Sequence, residues 1–328
     1  MKKYHFFLIC LLIFSCSENQ NPVSFSYEFV SQFATEHHSN AITVDSDNSY
    51  IYVSSSCPSK NNGNQKIQKF SMQGELIGTI VDYLTSIEGN YEYYNPIDLI
   101  VDHSHHIFVL AKPYNKNSDS TWSALNGFCI LKYNSNGELQ KEYDFADIEE
   151  EWHPSALSYK NGILYVTNGN ELKKIIIDSG LFSNINLPVQ NVNHNIGPYI
   201  PTTDMAIDKD DDIWLVGQAF FNENQIGVHV TKFDPTCQNH ETFYSKCKTS
   251  EYGANLNNPG ITFDNKDNLY LSTGYCQNIE IYDYKQEFQR EIKIEDENSL
   301  ATDIAIDKNN NLYILDSAND KILLYKLD

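Results

Sequence analysis

The chain has 328 residues, 41% of them hydrophobic, enough for one large core or a ring of small ones. Its formal net charge of −21 argues against nucleic acid and anionic lipid as partners. That balance fits cations, basic partners or plain solubility.

The first residues read as a targeting segment. Lys2 and Lys3 precede an apolar run, Phe6 to Phe14, too short to span a bilayer as a mature helix. It ends in Ile13-Phe14-Ser15-Cys16, followed at once by the polar Ser17-Glu18-Asn19-Gln20. This junction resembles a bacterial lipoprotein signal. The resemblance implies cleavage before Cys16, lipidation of Cys16 and a membrane anchor. It also implies, from Ser17 after the cysteine, the outer membrane of the cell envelope. The expected layout is a signal peptide over 1–15, a tether over 16–23 and one domain over 24–328. No later apolar stretch is long enough to cross a membrane.

From Ala41 onward one pattern returns six times: an apolar run ending in Asp, a polar turn, then an apolar-aromatic-apolar run. Its copies start at Ala41, Asp98, Ala156, Asp204, Gly260 and Asp303. The anchor residues that close the first run are Asp45, Asp102, Tyr159, Asp208, Asp264 and Asp307. The aromatics that follow are Tyr52, Phe108, Tyr165, Trp214, Tyr270 and Tyr313. Asn, Asp, Ser and Gly fill the turns and tolerate left-handed backbone, so each unit opens with a tight hairpin. Third-strand segments follow, such as KIQKF ending at Phe70 and KILLY ending at Tyr325. Fourth-strand segments come next, such as LQKEYDF from Leu139 and FQREIKI from Phe288. Six units of four antiparallel strands predict an all-β, six-bladed β-propeller. The sixth unit stops after its third strand, and Ser26 to Phe33 can supply the missing one. The expectation is a ring closed by an N-terminal strand, which removes its open edges.

On the strength of VDSDNSYIYV followed by KIQKFSMQGEL, the repeat resembles the NHL repeat, and the chain resembles six-bladed propeller lipoproteins of Bacteroidetes. Blade 3 departs most, with Tyr159 for the anchor Asp and Ile177 at an aromatic place.

The anchor aspartates are expected to be structural, since an Asp at a strand end accepts hydrogen bonds from turn amides. Asp208, Asp210 and Asp212 have the spacing of a calcium loop. The glycine and the closing glutamate of such a loop are missing, so the segment reads as a turn. Five cysteines follow Cys16: Cys57, Cys129, Cys237, Cys247 and Cys276. Cys237 and Cys247 flank one hairpin and are the first candidate disulfide.

The long connections fall on one face of the ring. They are Val81 to Pro96, Lys112 to Gly127, Ala146 to Pro154, Pro188 to Thr202, Gln218 to Gly227 and Ser245 to Pro259. Any binding site is expected there. Asp98, Asp204 and Asp303 begin the repeats of blades 2, 4 and 6, so symmetry brings them together at the channel mouth. They either hold a hard cation or cap backbone amides. His37, His38, His153 and His194 lie on the same loops. The NHL resemblance extends to metal-dependent lyases that use histidines from several blades, so calcium or zinc stays open. Tyr91, Tyr93, Tyr94, Trp152 and Tyr199 sit beside acidic residues and suit a protein or glycan ligand. Two functions follow. The first is a lipid-anchored envelope module that binds a protein or glycan and performs no chemistry. The second is a metal-dependent propeller hydrolase or lyase.

Overall fold

The computed structural model describes residues 26–36, 38–56, 65–82, 84, 93–116, 122–124, 127–145, 153–188, 202–222, 225–249, 258–274 and 276–327. Over these residues the chain forms six antiparallel sheets, each a meander running outward from a central channel. The inner strands are Ser39–Asp45, Tyr93–Val101, Ala156–Lys160, Thr202–Ile207, Ile261–Phe263 and Ala301–Ile306. They are numbered here as blades 1 to 6. The ring is a six-bladed β-propeller, and its four-stranded blades are those the sixfold pattern predicts.

Closure occurs as expected. Tyr27–Ala34 adds the outer strand of blade 6 by pairing antiparallel with Lys321–Leu327, with an irregularity between Phe29 and Ser31. The strand also reaches both neighbouring blades. The Tyr27 hydroxyl lies 2.8 Å from that of Tyr270 in blade 5, and Phe33 packs on Phe70 of blade 1.

The second strand of each blade has neighbouring blades over both faces, so its residues are buried without alternation. Leu269–Ser272 and Leu312–Asp316 are buried throughout. The core is therefore a set of seams. Tyr52, Ile67 and Val81 of blade 1 pack with Leu99, Val109 and Leu131 of blade 2 in one of them. The repeat's aromatic fills each seam, and Tyr52, Phe108, Tyr270 and Tyr313 are fully enclosed. Burial of such a side chain stabilises the fold by about 2–3 kcal/mol.

The anchor aspartates act within their own turns. In blade 6 Asp307 accepts the N–H groups of Asn309 and Asn311, each at 2.8 Å. In blade 4 Asp208 accepts those of Asp210 and Asp212, each at 3.0 Å, and also the indole N–H of Trp214. The calcium-like spacing is thus a hairpin turn. Its tight corner is carried by left-handed residues, Asp211 in blade 4 and Asn310 in blade 6.

Two expected loops are largely strand. In blade 4 the second and third strands run Ile213–Asn222 and Gln225–Phe233, paired to Asn222 and Gln225. In blade 2 the second strand runs Ile107–Lys116, and Trp122–Ala124 pairs with its far end. The strand residues described in these connections form ribbons that the turn-forming composition did not reveal.

Candidate functional site

The inner strands of blades 1, 2, 4 and 6 each begin with a register shift, between Ser39 and Ala41, Pro96 and Asp98, Thr202 and Asp204, and Ala301 and Asp303. A bulge at a strand start re-aims the next side chain. In blades 2, 4 and 6 that side chain is an aspartate. All three line the central channel, a cavity of about 280 Å³ walled by the six inner strands.

Each of these carboxylates couples two blades. Asp98 accepts the Leu99 N–H of its own blade and the Leu157 N–H of blade 3, both at 2.7 Å. Asp204 accepts from Met205 at 2.6 Å and from Ile261 of blade 5 at 2.7 Å. Asp303 accepts from Ile304 and from Ile42 of blade 1, both at 2.7 Å. Blades 2 and 3, 4 and 5, and 6 and 1 are tied in this way. At the matching position blade 5 has Gly260. A Cβ there would sit 2.9 Å from the Cα of Asp303, so the bare glycine makes room for the aspartate.

The three groups sense one another. Burial is the main cause that raises the pKa of Asp98, and the charge of Asp204 adds to it. Asp303 is raised by burial, then by Asp204 and Asp98. Burial lifts Asp204 from the ordinary 3.8 to about 7, against the opposing pull of its two backbone N–H donors. Among the described residues their oxygens do not form a group within 4.8 Å of one another. Cys129, Glu142 and Asp144 do form such a group.

The aromatic candidates divide. Tyr94 is fully buried in the seam of blades 1 and 2, and its hydroxyl donates to Glu142. This corrects its assignment to the ligand face. Placed opposite Pro113 in an extended inner strand, it turns inward. Tyr93 sits in the same strand opposite Tyr114. His153 is exposed, with Nδ1 3.4 Å from the Lys112 Nζ. His38 holds a left-handed turn, and its N–H donates to Asp320. Cys16, His37, Cys57, Tyr91, Trp152, His194 and Tyr199 lie outside the described residues.

Among the described residues, blades 2 and 4 carry their strands furthest on this face. The strand residue opposite Asp98 is Leu110, and its strand continues six residues further to Lys116. The residue opposite Asp204 is Val216, and that strand also continues six residues, to Asn222. Opposite Asp303 is Leu315, and the strand ends one residue later at Asp316. Two β-ribbons therefore rise on either side of blade 3.

The disulfide differs from the expected pair. Cys247 bonds to Cys276, with Cα atoms 5.8 Å apart, and Cys237 is a buried free thiol. Cys237 sits in the turn before His240–Thr249 and packs in the core of blades 3 and 4. Cys247 lies seven residues along that strand from His240, about 23 Å away at the rise of an extended chain. The hairpin thus keeps the two cysteines apart, while the neighbouring blade presents Cys276.

Beneath the disulfide lies a carboxylate that the sequence reading missed. Glu280, fully buried in blade 5, accepts the N–H of Cys247 at 2.9 Å and of Lys246 at 3.1 Å, and Tyr282 donates to it. Its signal was a glutamate between two isoleucines in the third strand, Asn278–Tyr282.

No family model matches the sequence, and no curated protein matches it. The fold has many likenesses among solved structures. A protein of unknown function from Dyadobacter fermentans aligns with a TM-score of 0.62 at 10% identity, over 92% of this chain and 99% of its own. A structural genomics protein of unknown function from Bacteroides thetaiotaomicron aligns at 0.60 and 10% identity, over 93% of this chain and 76% of its own. A streptogramin B lyase aligns at 0.53 and 17% identity, over 93% and 98%. At these identities the likeness is one of fold alone.

Proposed function

We propose that this chain is a lipid-anchored binding or scaffold module of the cell envelope, built on NHL-like repeats, that recognises a protein or glycan on its long-loop face. The observation that carries the reading is the pair of ribbons of blades 2 and 4, which among the described residues add wall height to that face. The channel aspartates support it too. Each of their oxygens accepts one backbone N–H, so these carboxylates already serve as ties between neighbouring blades.

The chain from residue 21 onward, immobilised, is offered to glycan arrays and to native envelope extracts, beside a variant in which both ribbon tips are shortened. Capture that the shortened variant loses supports the reading. Capture that both proteins retain equally places recognition elsewhere. Anchoring is tested separately: Cys16→Ala should move the full chain from the membrane fraction to the soluble one.

A further inference from the structure

We propose that Cys129, Glu142 and Asp144 form a binding site for a divalent transition metal of the zinc class, on the face of blade 2 that packs toward blade 1. The site lies outside the channel and goes beyond the binding function above.

Strand register builds it. Cys129 pairs directly with Asp144 across the two outer strands, and Leu131 pairs with Glu142. Directly opposed residues share a face, as do residues two apart, so all three side chains project together. One ligand atom from each lies within 4.8 Å of the others. The Cys129 Sγ is 3.4 Å from the Asp144 Oδ1. Two ligands on a tetrahedral zinc, with Zn–S of about 2.3 Å and Zn–O of about 2.1 Å, stand about 3.6 Å apart. The pocket is therefore near the required size.

The donor set selects the metal. A thiolate disfavours calcium and magnesium, which take oxygen ligands, and suits zinc and its neighbours. Cys129 is fully enclosed, whereas Asp144 is exposed and gives an ion its approach. Tyr94, itself fully buried, orients Glu142 by donating its hydroxyl.

A second observation points to a missing occupant. The Tyr133 hydroxyl is buried and has no hydrogen-bond partner among the described residues, on the same strand face as Cys129 and in the field of Glu142. A buried hydroxyl left unsatisfied costs about 1–3 kcal/mol. Three protein ligands leave a fourth position on zinc for a water. The Cys129 thiol donates to Asp144 and so carries its proton. As the sulfur–metal bond forms, that proton leaves to solvent and the ion sheds waters in exchange for protein ligands.

The test uses the full chain with its Cys247–Cys276 bridge intact, titrated anaerobically with cobalt(II), then displaced with zinc(II). One cobalt per chain is expected, with a thiolate-to-cobalt charge-transfer band in the near ultraviolet. Cys129→Ser should abolish the band and weaken binding at least tenfold, and Cys237→Ser should leave both intact. Should Cys129→Ser fail to fold, Asp144→Asn decides, because its side chain is exposed: a tenfold loss of affinity supports the site, and unchanged affinity overturns it. Failure of the folded wild-type protein to retain cobalt, or a band that survives Cys129→Ser, also overturns it.

Discussion

The two faces of the ring join neighbouring blades by different means. On the tight-turn face the links are ion pairs near the surface. Lys160 of blade 3 meets Asp211 of blade 4 at 2.7 Å, Lys209 of blade 4 meets Asp267 of blade 5, and Lys308 of blade 6 meets Asp47 of blade 1 at 3.9 Å. A hydrogen bond joins His105 Nδ1 of blade 2 to the buried anchor Asp45 of blade 1 at 3.0 Å. On the long-loop face the links are enclosed carboxylates on backbone amides, together with the Cys247–Cys276 bridge. Exposed ion pairs contribute about 0–1 kcal/mol, since water and salt compete for both partners. Removing one partner of an enclosed hydrogen bond leaves the other unsatisfied at a cost of about 1–3 kcal/mol. Cohesion between blades should therefore concentrate on the long-loop face.

Breaking the covalent link should have the largest effect. Cys276→Ser opens a loop whose ends are 29 residues apart, and chain-entropy arguments put the loss at about 3–4 kcal/mol. Urea denaturation of wild-type and variant protein measures it. A loss below about 1 kcal/mol would mean that seam 4/5 is held by packing alone.

Asp303→Ala comes next. It strips the acceptor from Ile304 and Ile42 at once and unlatches blade 6 from blade 1. The expected loss is about 3 kcal/mol. The same truncation at the anchor, Asp307→Ala, also orphans two amides, but these lie in a surface turn that water reaches. About 1–2 kcal/mol is expected there. Equal losses at the two positions would erase the distinction between the faces.

Titration separates the two sets of aspartates without truncation. The Asp204 pKa is raised from 3.8 to about 7, so the folded chain holds that proton where the unfolded chain has released it. Its contribution to stability is complete below about pH 4 and is lost as pH rises toward 7. Asp204→Asn cannot titrate. It should melt below wild type at pH 4.5, because one amide loses its acceptor, and the gap should narrow by a few degrees by pH 8. A gap that widens with pH would show that the carboxylate is stabilised as an anion.

How much of this was legible in the sequence follows from the range of each interaction. The anchor turns could be read because Asp307 and its donors lie within four residues. The closure strand could be read because blade 6 lacked a strand and Ser26 to Phe33 was unassigned. That Asp98, Asp204 and Asp303 meet in the channel followed from symmetry. That each spends its second oxygen on the next blade did not, because no pattern within a blade records it. The disulfide failed for the same reason: its partner is one blade on, and proximity in sequence favoured Cys237. Tyr94 was misplaced because a long connection continued as strand and alternation then buried it.

The smallest effect is expected at Lys160, and it bears most directly on the tight-turn face. Its Nζ pairs with Asp211 and donates to the Asp208 carbonyl, so it spans blades 3 and 4 much as Asp98 spans blades 2 and 3. The difference lies in exposure, for Asp211 is open to water. Lys160→Met keeps most of the aliphatic stem and removes the charge. The loss should be under about 1 kcal/mol in dilute buffer. It should shrink further near 1 M salt, where the screening length falls to about 3 Å. Paired melts of the two proteins across a salt series measure it. A loss that rivals Asp303→Ala and persists in salt would show that this face, too, grips through contacts that solvent cannot replace.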